Sequence, residues 1–254
     1  MQRYFVQPEQ MTEDSVTLTG EDARHLGSVM RAKPGDEFIA CDGSGRDVLA
    51  KISAVGKEAV LAAIVQVLTG SAEMAWRVTV AQSLPKGDKL ETVIQKGTEA
   101  GAFAFQPFLS RRTVVQYDER KEAKRLDRWR KIAKEAAEQS HRSRIPEIRP
   151  VCGWKALIGQ FSSYDLVLFC YEEEGRTGQG LRPTLADFHG KTKGQSPSVL
   201  LVVGPEGGFA QEEAEEAQAA GAVPAGLGKR ILRTETAALY ALACLAYEAG
   251  EMGG

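Results

Sequence analysis

The spacing of apolar and polar residues divides the chain into two segments of different character. Residues 1 to about 70 hold short runs rich in Val, Ile and Leu that are separated by turns, with one candidate short helix at 21–30. Many short strands with little helix favour a small β-barrel domain, which we place at residues 1–70. The predicted strands are 3–6, 37–41, 47–55 and 59–67.

From residue 74 to residue 254 the apolar runs alternate with stretches at helical spacing. This alternation predicts an α/β domain with a mostly parallel sheet. The predicted strands are 77–84, 105–109, 165–170, 199–203 and 222–227, with an extended stretch at 145–150. The predicted helices are 89–101, 119–140, 154–161, 211–220 and 234–249. Polar or glycine-rich composition predicts loops at 172–180 and 190–198, and a linker at 69–73.

Two glycine-containing loops follow predicted strands in the last third of the sequence. The first, Gly204-Pro205-Glu206-Gly207-Gly208, continues the apolar run 200–203, and the second is Leu227-Gly228. Glycine loops at strand ends let backbone groups approach a ligand closely, so we expect one shared pocket. In a dinucleotide-binding fold the glycine fingerprint follows the first strand, so the late position disfavours that class. Thr234 is the predicted N-cap of the final helix.

Composition narrows the class of protein. Of the 254 residues 43% are hydrophobic, which predicts a packed core, and no apolar run reaches membrane-spanning length. The first residues lack the apolar core of a signal peptide. The cysteines are scattered without a Cys-x-x-Cys pair, at Cys41, Cys152, Cys170 and Cys244. We therefore expect a cytoplasmic protein with reduced thiols, no membrane segment and no metal site.

The charge is unevenly distributed. Residues 71–150 carry 17 Lys/Arg against 11 Asp/Glu, a net +6, whereas residues 1–70 and 151–254 are net −3 and −5. The predicted helix 119–140 has an apolar stripe and a basic opposite face. A polyanion would be attracted to the basic middle segment, although most charged helix faces are simply solvated.

The two loops and their order carry a family resemblance. Gly204 to Gly208, followed by Leu227-Gly228 and by Ile231-Leu232-Arg233-Thr234-Glu235-Thr236-Ala237, resembles the RsmE-type family of ribosomal RNA small-subunit methyltransferases, in the SPOUT superfamily. The resemblance implies a SPOUT-type parallel sheet with a C-terminal trefoil knot at 74–254, preceded by a PUA-like RNA-binding barrel. It also implies a homodimer that uses S-adenosyl-L-methionine to methylate N3 of a uridine in the decoding region of 16S ribosomal RNA, within an assembled or nearly assembled small subunit.

The resemblance also implies the cofactor contacts. They are the strand end Leu168, Phe169, Cys170 and Tyr171, then Val203, Gly204, Pro205, Glu206, Gly207 and Gly208, and finally Leu227, Gly228, Ile231, Leu232 and Ala237. For Ile231 and Leu232 core packing is the alternative interpretation, and for Glu206 it is bracing of the loop.

Arg233 is the first catalytic candidate, because a guanidinium beside the second loop can orient a phosphate or stabilise a uridine that is losing its N3 proton. A surface ion pair is the alternative. Glu235 is the second candidate, although the helix dipole alone favours an acid in the first turn.

Cations and one amide are candidates for RNA contacts. They are Arg24, Arg31, Lys86, Lys89, Lys96, Arg111, Arg112, Gln139, Arg142 and Arg144. The last three lie in Glu138 to Pro146, which resembles a substrate-side loop of the family, with His141 where glycine is frequent. A solvated basic surface is the alternative interpretation for the lysines.

Two other functions stay open from the sequence. One is an RNA-binding assembly factor that does not methylate, and the other is a tRNA methyltransferase of the same fold. The final predicted helix is apolar nearly all round, with Leu242 and Leu245 among its large residues. A second subunit is the simplest cover for its outer face.

Overall fold

The structure is a computed structural model, and it describes residues 1–70, 72–172 and 180–253. The chain forms two compact units. Unit 1 consists of residues 1–73 together with 137–145, and unit 2 consists of residues 74–136 together with 146–254. One residue of the predicted linker 69–73 lies outside the described residues. Most of the predicted loop 172–180 also lies outside them.

Unit 1 is built on a five-stranded sheet in the order β1-β3-β4-β5-β2. Its elements are β1 (Arg3–Phe5), β2 (Ser15–Thr19), α1 (Gly20–Arg24), β3 (Glu37–Cys41), β4 (Asp47–Val55) and β5 (Ala59–Leu68). All neighbouring strands are antiparallel except β1 and β3, which are parallel. The alternation along β2 buries Val16 and Leu18 completely, and Phe38 fills the same core.

Two elements of unit 1 differ from the sequence prediction. Strand β2 was not predicted, because Ser15, Thr17 and Thr19 alternate with its two apolar residues and hide the pattern. The predicted helix 21–30 is α1 followed by a π-helical turn, His25–Val29. Arg31, just after it, has a left-handed backbone with φ of 55°.

A buried ionic cluster fastens residues 137–145 within unit 1. Arg142 is only 2% exposed and pairs with Glu73 through Nε, at 3.3 Å, and through Nη2. The Glu73 carboxylate also accepts the backbone N–H of Ser143 at 3.0 Å. Asp47 Oδ2 accepts from Arg3 Nη1 at 2.6 Å and from Ser143 Oγ at 2.7 Å. The prediction that Arg142 contacts RNA is wrong in this structure, because its guanidinium is buried against a carboxylate.

Unit 2 contains a parallel sheet in the order β12-β10-β11-β6-β7-β8, with β9 also paired to β7. Its strands are β6 (Arg77–Ser83), β7 (Ala104–Leu109), β8 (Glu147–Ile148), β9 (Cys152–Gly153), β10 (Leu166–Cys170), β11 (Ser198–Val203) and β12 (Val223–Ala225). The helices are α2 (Lys89–Glu99), α3 (Glu122–Gln139, whose last turn lies in unit 1), α4 (Trp154–Ile158), α5 (Leu181–Thr192), α6 (Gln211–Ala219) and α7 (Thr234–Glu248).

Many of the buried apolar residues of unit 2 lie on its central strand and on its last helix. Strand β11 is buried along nearly its whole length, as its continuous apolar run predicts for a central parallel strand. Helix α7 buries Leu242 and Leu245 completely, and it packs on α2. The predicted α/β fold with a parallel sheet is confirmed. The trefoil knot stays a prediction.

Helix α5 was not predicted. Its last residues, 190–192, and the turn that follows it fall within the predicted loop 190–198. Pro183 and Gly190 favour a loop in the sequence. Pro183 lies in the first turn, where a helix tolerates proline, and Leu185 and Phe188 bury one face. Among the helices of the described residues, none is long and apolar enough to cross a membrane.

Replacing Arg142 with Met should destabilise unit 1 by about 3 kcal/mol, because the substitution leaves the Glu73 carboxylate without its cation. Arg144→Met is the matched control. The Arg144 side chain is exposed and donates only one described hydrogen bond, to Ser44 O at 2.9 Å, so we expect a loss below about 1 kcal/mol. Urea unfolding of both variants measures the difference, and equal losses would contradict the assigned burial.

Candidate functional site

A cleft of about 620 Å³ opens at the carboxyl ends of β10, β11 and β12. Both glycine loops line it, as the sequence predicts. The lining residues are Lys89, Arg112, Cys170, Tyr171, Glu172, Val203, Gly204, Pro205, Glu206, Gly207, Gly208, Phe209, Gln211, Ala225, Leu227, Gly228, Arg230, Ile231, Leu232, Arg233, Thr234 and Ala237. Parallel strands end at one edge of a sheet, and ligands of open α/β sheets bind there.

Two of the expected cofactor residues do not line the cleft. Leu168 and Phe169 are fully buried inside the sheet layers. The ring of Phe169 packs 4.3 Å, centroid to centroid, from the ring of Phe209. Only the last residue of β10, Cys170, and the following Tyr171 reach the edge of the sheet. Of the four expected residues at this strand end, Cys170 and Tyr171 therefore line the cleft, whereas Leu168 and Phe169 lie within the sheet.

A glycine is required at position 204 because the backbone there lies close to the ring of Phe209. A Cβ atom at this position would lie 2.9 Å from the ring of Phe209, a distance that real Cβ atoms essentially never show. The loop therefore folds back over the aromatic core of the unit, and a side chain at 204 would displace it. Arg112 holds the other end of the loop, since its Nη1 donates to the carbonyl of Gly207 at 3.0 Å.

Glu206 braces the first loop against the start of α2. Its Oε1 accepts the backbone N–H of Lys86 at 3.0 Å and Lys89 Nζ at 2.8 Å. Burial alone would raise the pKa of Glu206, but the hydrogen bonds from Lys89 and Lys86 outweigh it and hold the pKa below its ordinary value. Lys89 Nζ also lies 3.8 Å from Oε2 of Glu235. A line of alternating charges thus borders the cleft.

The second loop leads into α7, and the helix begins with a different N-cap residue from the predicted one. Gly228 adopts a left-handed φ of 95°, which favours glycine. Arg233, not Thr234, is the N-cap residue. Thr234 is the first residue of the helix, and its Oγ1 donates to the carbonyl of Gly204 at 2.6 Å. The prediction of Thr234 as the N-cap is therefore wrong, because the helix already includes Thr234, and its hydroxyl contacts the first loop.

Arg233 is exposed at the cleft and forms no ion pair with the described residues. The alternative interpretation of this residue as half of a surface ion pair finds no support there. Its guanidinium is positioned to meet a ligand. Glu235 does not line the cleft, and its Oε2 is buried without a hydrogen-bond partner among the described residues, 3.8 Å from Lys89 Nζ.

Some of the other predicted RNA contacts form ion pairs with carboxylates, and others are exposed. In unit 2, Lys96 pairs with Glu99 at 2.8 Å and Arg111 with Glu212 at 2.9 Å, while Lys86 is exposed. In unit 1, four candidates are exposed, namely Arg24, Arg31, Gln139 and Arg144. On α3, Arg128 pairs with Glu91 at 2.6 Å and Arg130 with Asp127 at 3.5 Å, which favours a solvated, paired face.

Several residues of the site were not named from the sequence. Phe209 and Gln211 follow the first loop directly, and Ala225 and Arg230 flank the second, so the loops themselves were the available signal. Gln82 lies in a strand that reads as apolar, yet its side chain is fully buried and reaches Thr234. Among the described residues, no group of three or more His, Cys, Asp and Glu side chains is arranged to hold a metal ion.

Comparison with known families fits this geometry. Residues 72–246 match the RNA methyltransferase domain, and residues 18–65 match the RNA methyltransferase PUA domain. The two matches define the class of protein as an RNA methyltransferase with a PUA domain.

Curated relatives and solved structures narrow the class. The ribosomal RNA small subunit methyltransferase E of Bacillus subtilis is 41% identical over 98% of this chain and 97% of its own length. The same enzyme of Synechocystis is 34% identical over 95% and 76%. A crystal structure of the Neisseria gonorrhoeae enzyme bound to S-adenosyl methionine is 32% identical, with a TM-score of 0.83 over 100% of this chain and 98% of that one. The chain belongs to the ribosomal RNA small subunit methyltransferase E family.

Removing the Glu206 brace should loosen the first loop. In Glu206→Ala we expect the backbone N–H groups of residue 204 and residues 206–209 to exchange with deuterium roughly fivefold faster, because the hydrogen bonds from Lys86 and Lys89 are lost. Glu212→Ala is the control, since it removes a carboxylate that pairs only with the exposed Arg111. Unchanged exchange in Glu206→Ala would show that the loop is held by its other contacts.

Proposed function

We propose that the chain transfers a methyl group from S-adenosyl-L-methionine to N3 of a uridine in 16S ribosomal RNA, in the decoding region of the small subunit. The observation that carries the proposal is the cleft formed by two glycine loops, with the unpaired Arg233 at its edge. Membership of the family supports the reaction class. The bound S-adenosyl methionine in the Neisseria gonorrhoeae structure supports the choice of methyl donor.

The residues of the cleft fit this donor. Its volume of about 620 Å³ lies in the range of small-molecule sites. Val203, Leu227 and Leu232 supply apolar walls for an adenine ring, and the backbone of residues 204–208 supplies polar groups. When bound, S-adenosyl-L-methionine supplies a methyl group on a positively charged sulfur, and transfer breaks that carbon–sulfur bond as the bond to N3 forms.

The acceptor nitrogen must lose a proton before its electron pair can take the methyl group. Negative charge then spreads onto the two carbonyl oxygens that flank N3. We assign Arg233 to one of these oxygens, because a charged N–H donor stabilises an oxygen on which negative charge develops. We assign Glu235 as the acceptor of the proton, since it is a carboxylate in the first turn of α7, two residues after Arg233.

The nucleic-acid partner in this proposal is 16S ribosomal RNA in an assembled or nearly assembled small subunit, which implies a cytoplasmic protein. Exposed cations are available to phosphates in each unit separately. They are Arg24, Arg31 and Arg144 in unit 1, and Lys86 and Arg112 in unit 2. Such contacts release counterions, so RNA affinity should fall as salt rises.

Replacing Arg233 with Ala should lower kcat by about 10²- to 10³-fold, the usual effect of removing one donor to a developing oxyanion. The affinity for S-adenosyl-L-methionine should change by less than about threefold, because the backbone of the two loops makes most of the proposed donor contacts. Mass spectrometry of 16S ribosomal RNA after reaction with small subunits measures the product.

Lys229→Ala is the control for that experiment, since Lys229 is an exposed cation of the same loop that does not line the cleft. An Arg233→Ala enzyme with the wild-type kcat would remove the assigned role. Methylated tRNA in place of methylated 16S ribosomal RNA, or donor binding without product, would overturn the proposed substrate or the proposed reaction.

We also propose that the protein works as a homodimer that covers the outer face of α7. The inner face of this helix is covered by its own chain, where Leu242 and Leu245 are fully buried. Its outer face exposes Tyr240 and Tyr247, at 43% and 69%. Aromatic residues are enriched in the cores of protein interfaces, and a twofold dimer is the commonest closed assembly.

Changing Tyr240 and Tyr247 together to Glu should give a folded monomer, because the proposed interface would have to bury two charges. Light scattering measures the mass, and circular dichroism checks the fold. Val114→Glu, at another exposed apolar position in unit 2, is the control and should keep the wild-type mass. A Tyr240→Glu, Tyr247→Glu protein with the wild-type dimer mass would place the interface elsewhere.

A further inference from the structure

Three polar groups meet beneath the cleft, and we call them the Gln82 node. They are the side chains of Gln82 and Thr234 and the carbonyl group of Gly204. Gln82 is fully buried and Thr234 is 6% exposed. Gly204 in the first loop and Thr234 at the start of α7 line the cleft, whereas Gln82 does not line it. The node therefore links the carboxyl end of β6 to both walls of the site.

The direction of the hydrogen bonds follows from the neighbours of the amide. Gln82 Nε2 lies 3.0 Å from the carbonyl of Ser83, 2.8 Å from Thr234 Oγ1 and 3.4 Å from the carbonyl of Gly204. Carbonyl oxygens only accept, so the nitrogen and not the oxygen of the amide faces them. Thr234 Oγ1 accepts from Gln82 and gives its own hydrogen to Gly204 at 2.6 Å. The relay runs from β6 through α7 to the first loop.

The amide oxygen of Gln82 has a different environment. Oε1 is buried and has no hydrogen-bond partner among the described residues. An unpaired buried acceptor is unfavourable, and an apolar side chain of similar length would fill the same space without one. The unpaired oxygen is therefore a cost of having a glutamine here, and the donor that the amide presents to Thr234 is what an apolar side chain could not supply.

We propose that Gln82 is a positioning residue for the methyl donor, which acts through Thr234 to fix the Gly204 carbonyl and the spacing of the two loops. The inference rests on the proposed function, since it assumes that the cleft binds S-adenosyl-L-methionine. Gly204 begins the first loop and Thr234 begins α7, beside Arg233. A loss of the relay would let the two walls of the cleft move independently, which weakens a ligand that contacts both.

Isothermal titration of the full chain with S-adenosyl-L-methionine tests the relay. Gln82→Met and Thr234→Val remove one partner each while keeping similar volume, and we expect Kd to rise about tenfold in both. Thr234→Ser keeps the hydroxyl and should recover most of the affinity. The double variant should bind no more weakly than the weaker single variant, because both changes break the same relay.

Two buried residues elsewhere in unit 2 provide matched controls. Gln106 Nε2 donates to the carbonyls of Pro107 and Pro150 at 3.0 and 2.8 Å, and Thr98 Oγ1 donates to the carbonyl of Ile94 at 2.7 Å. Gln106→Met and Thr98→Val thus delete the same chemical groups away from the cleft. Thermal unfolding should show losses of stability like those of the node variants, while Kd for the donor stays at the wild-type value.

The outcomes separate the two proposals. If the wild-type chain does not bind S-adenosyl-L-methionine, the proposed function fails. If the wild type binds and Gln82→Met binds equally well, the positioning role is overturned. Control variants that weaken binding as much as the node variants would also overturn it, since the effect would then be one of general stability. Because Gln82 lies outside the cleft, its variant decides the matter even if Thr234→Val does not fold.

Discussion

One row of residues across four parallel strands determines where the site can form. In the register of the sheet, Ala225 lies beside Cys170, Cys170 beside Val203, and Val203 beside Gln82. Each is at or next to the carboxyl end of its strand, so the chain leaves the sheet at the same level on β12, β10, β11 and β6. A shift of one strand by one residue would turn its side chains to the other face and separate the loops.

The first loop that leaves this row is held by polar contacts in addition to its packing on Phe209. The first loop is fastened at three points, by Lys86 and Lys89 to Glu206, by Arg112 to the Gly207 carbonyl, and by Thr234 to the Gly204 carbonyl. Four side chains that line the cleft, those of Lys89, Arg112, Glu206 and Thr234, thus also hold the loop in place. Arg233 lines the cleft and holds neither loop through an ion pair among the described residues, so its guanidinium stays exposed there.

Much of this could be predicted from the sequence, because the relevant signals are local. The apolar run of β11 ends directly at Gly204, and the order of the two loops indicates both the site and the family. Features that depend on distant partners could not be predicted. Arg142 lies in a stretch that resembles a substrate-side loop, and only the fold brings Glu73 to it. Leu168 and Phe169 belong to the correct strand, but the sequence does not tell which residue is the last to be covered by its neighbours.

The same reasoning explains why Gln82 and α5 were missed. A single glutamine at the end of an apolar strand has no local pattern, and its partner Thr234 is far away in the sequence. Helix α5 contains Pro183 and Gly190, which are local signals for a loop, and tertiary burial of Leu185 and Phe188 overrides them. In each case the contact that stabilises the observed structure joins residues that only the folded unit brings together.

The burial of Arg142 has a consequence for the order of events during synthesis. Unit 1 is discontinuous, since residues 137–145 belong to it although residues 74–136 come between. When β1 to β5 have emerged from the ribosome, Glu73 has no arginine beside it and Asp47 lacks the hydroxyl of Ser143. The first unit therefore cannot reach its final state on its own, and it is completed only after the chain has been made past residue 145. The two units of the nascent protein mature in an interleaved order rather than one after the other.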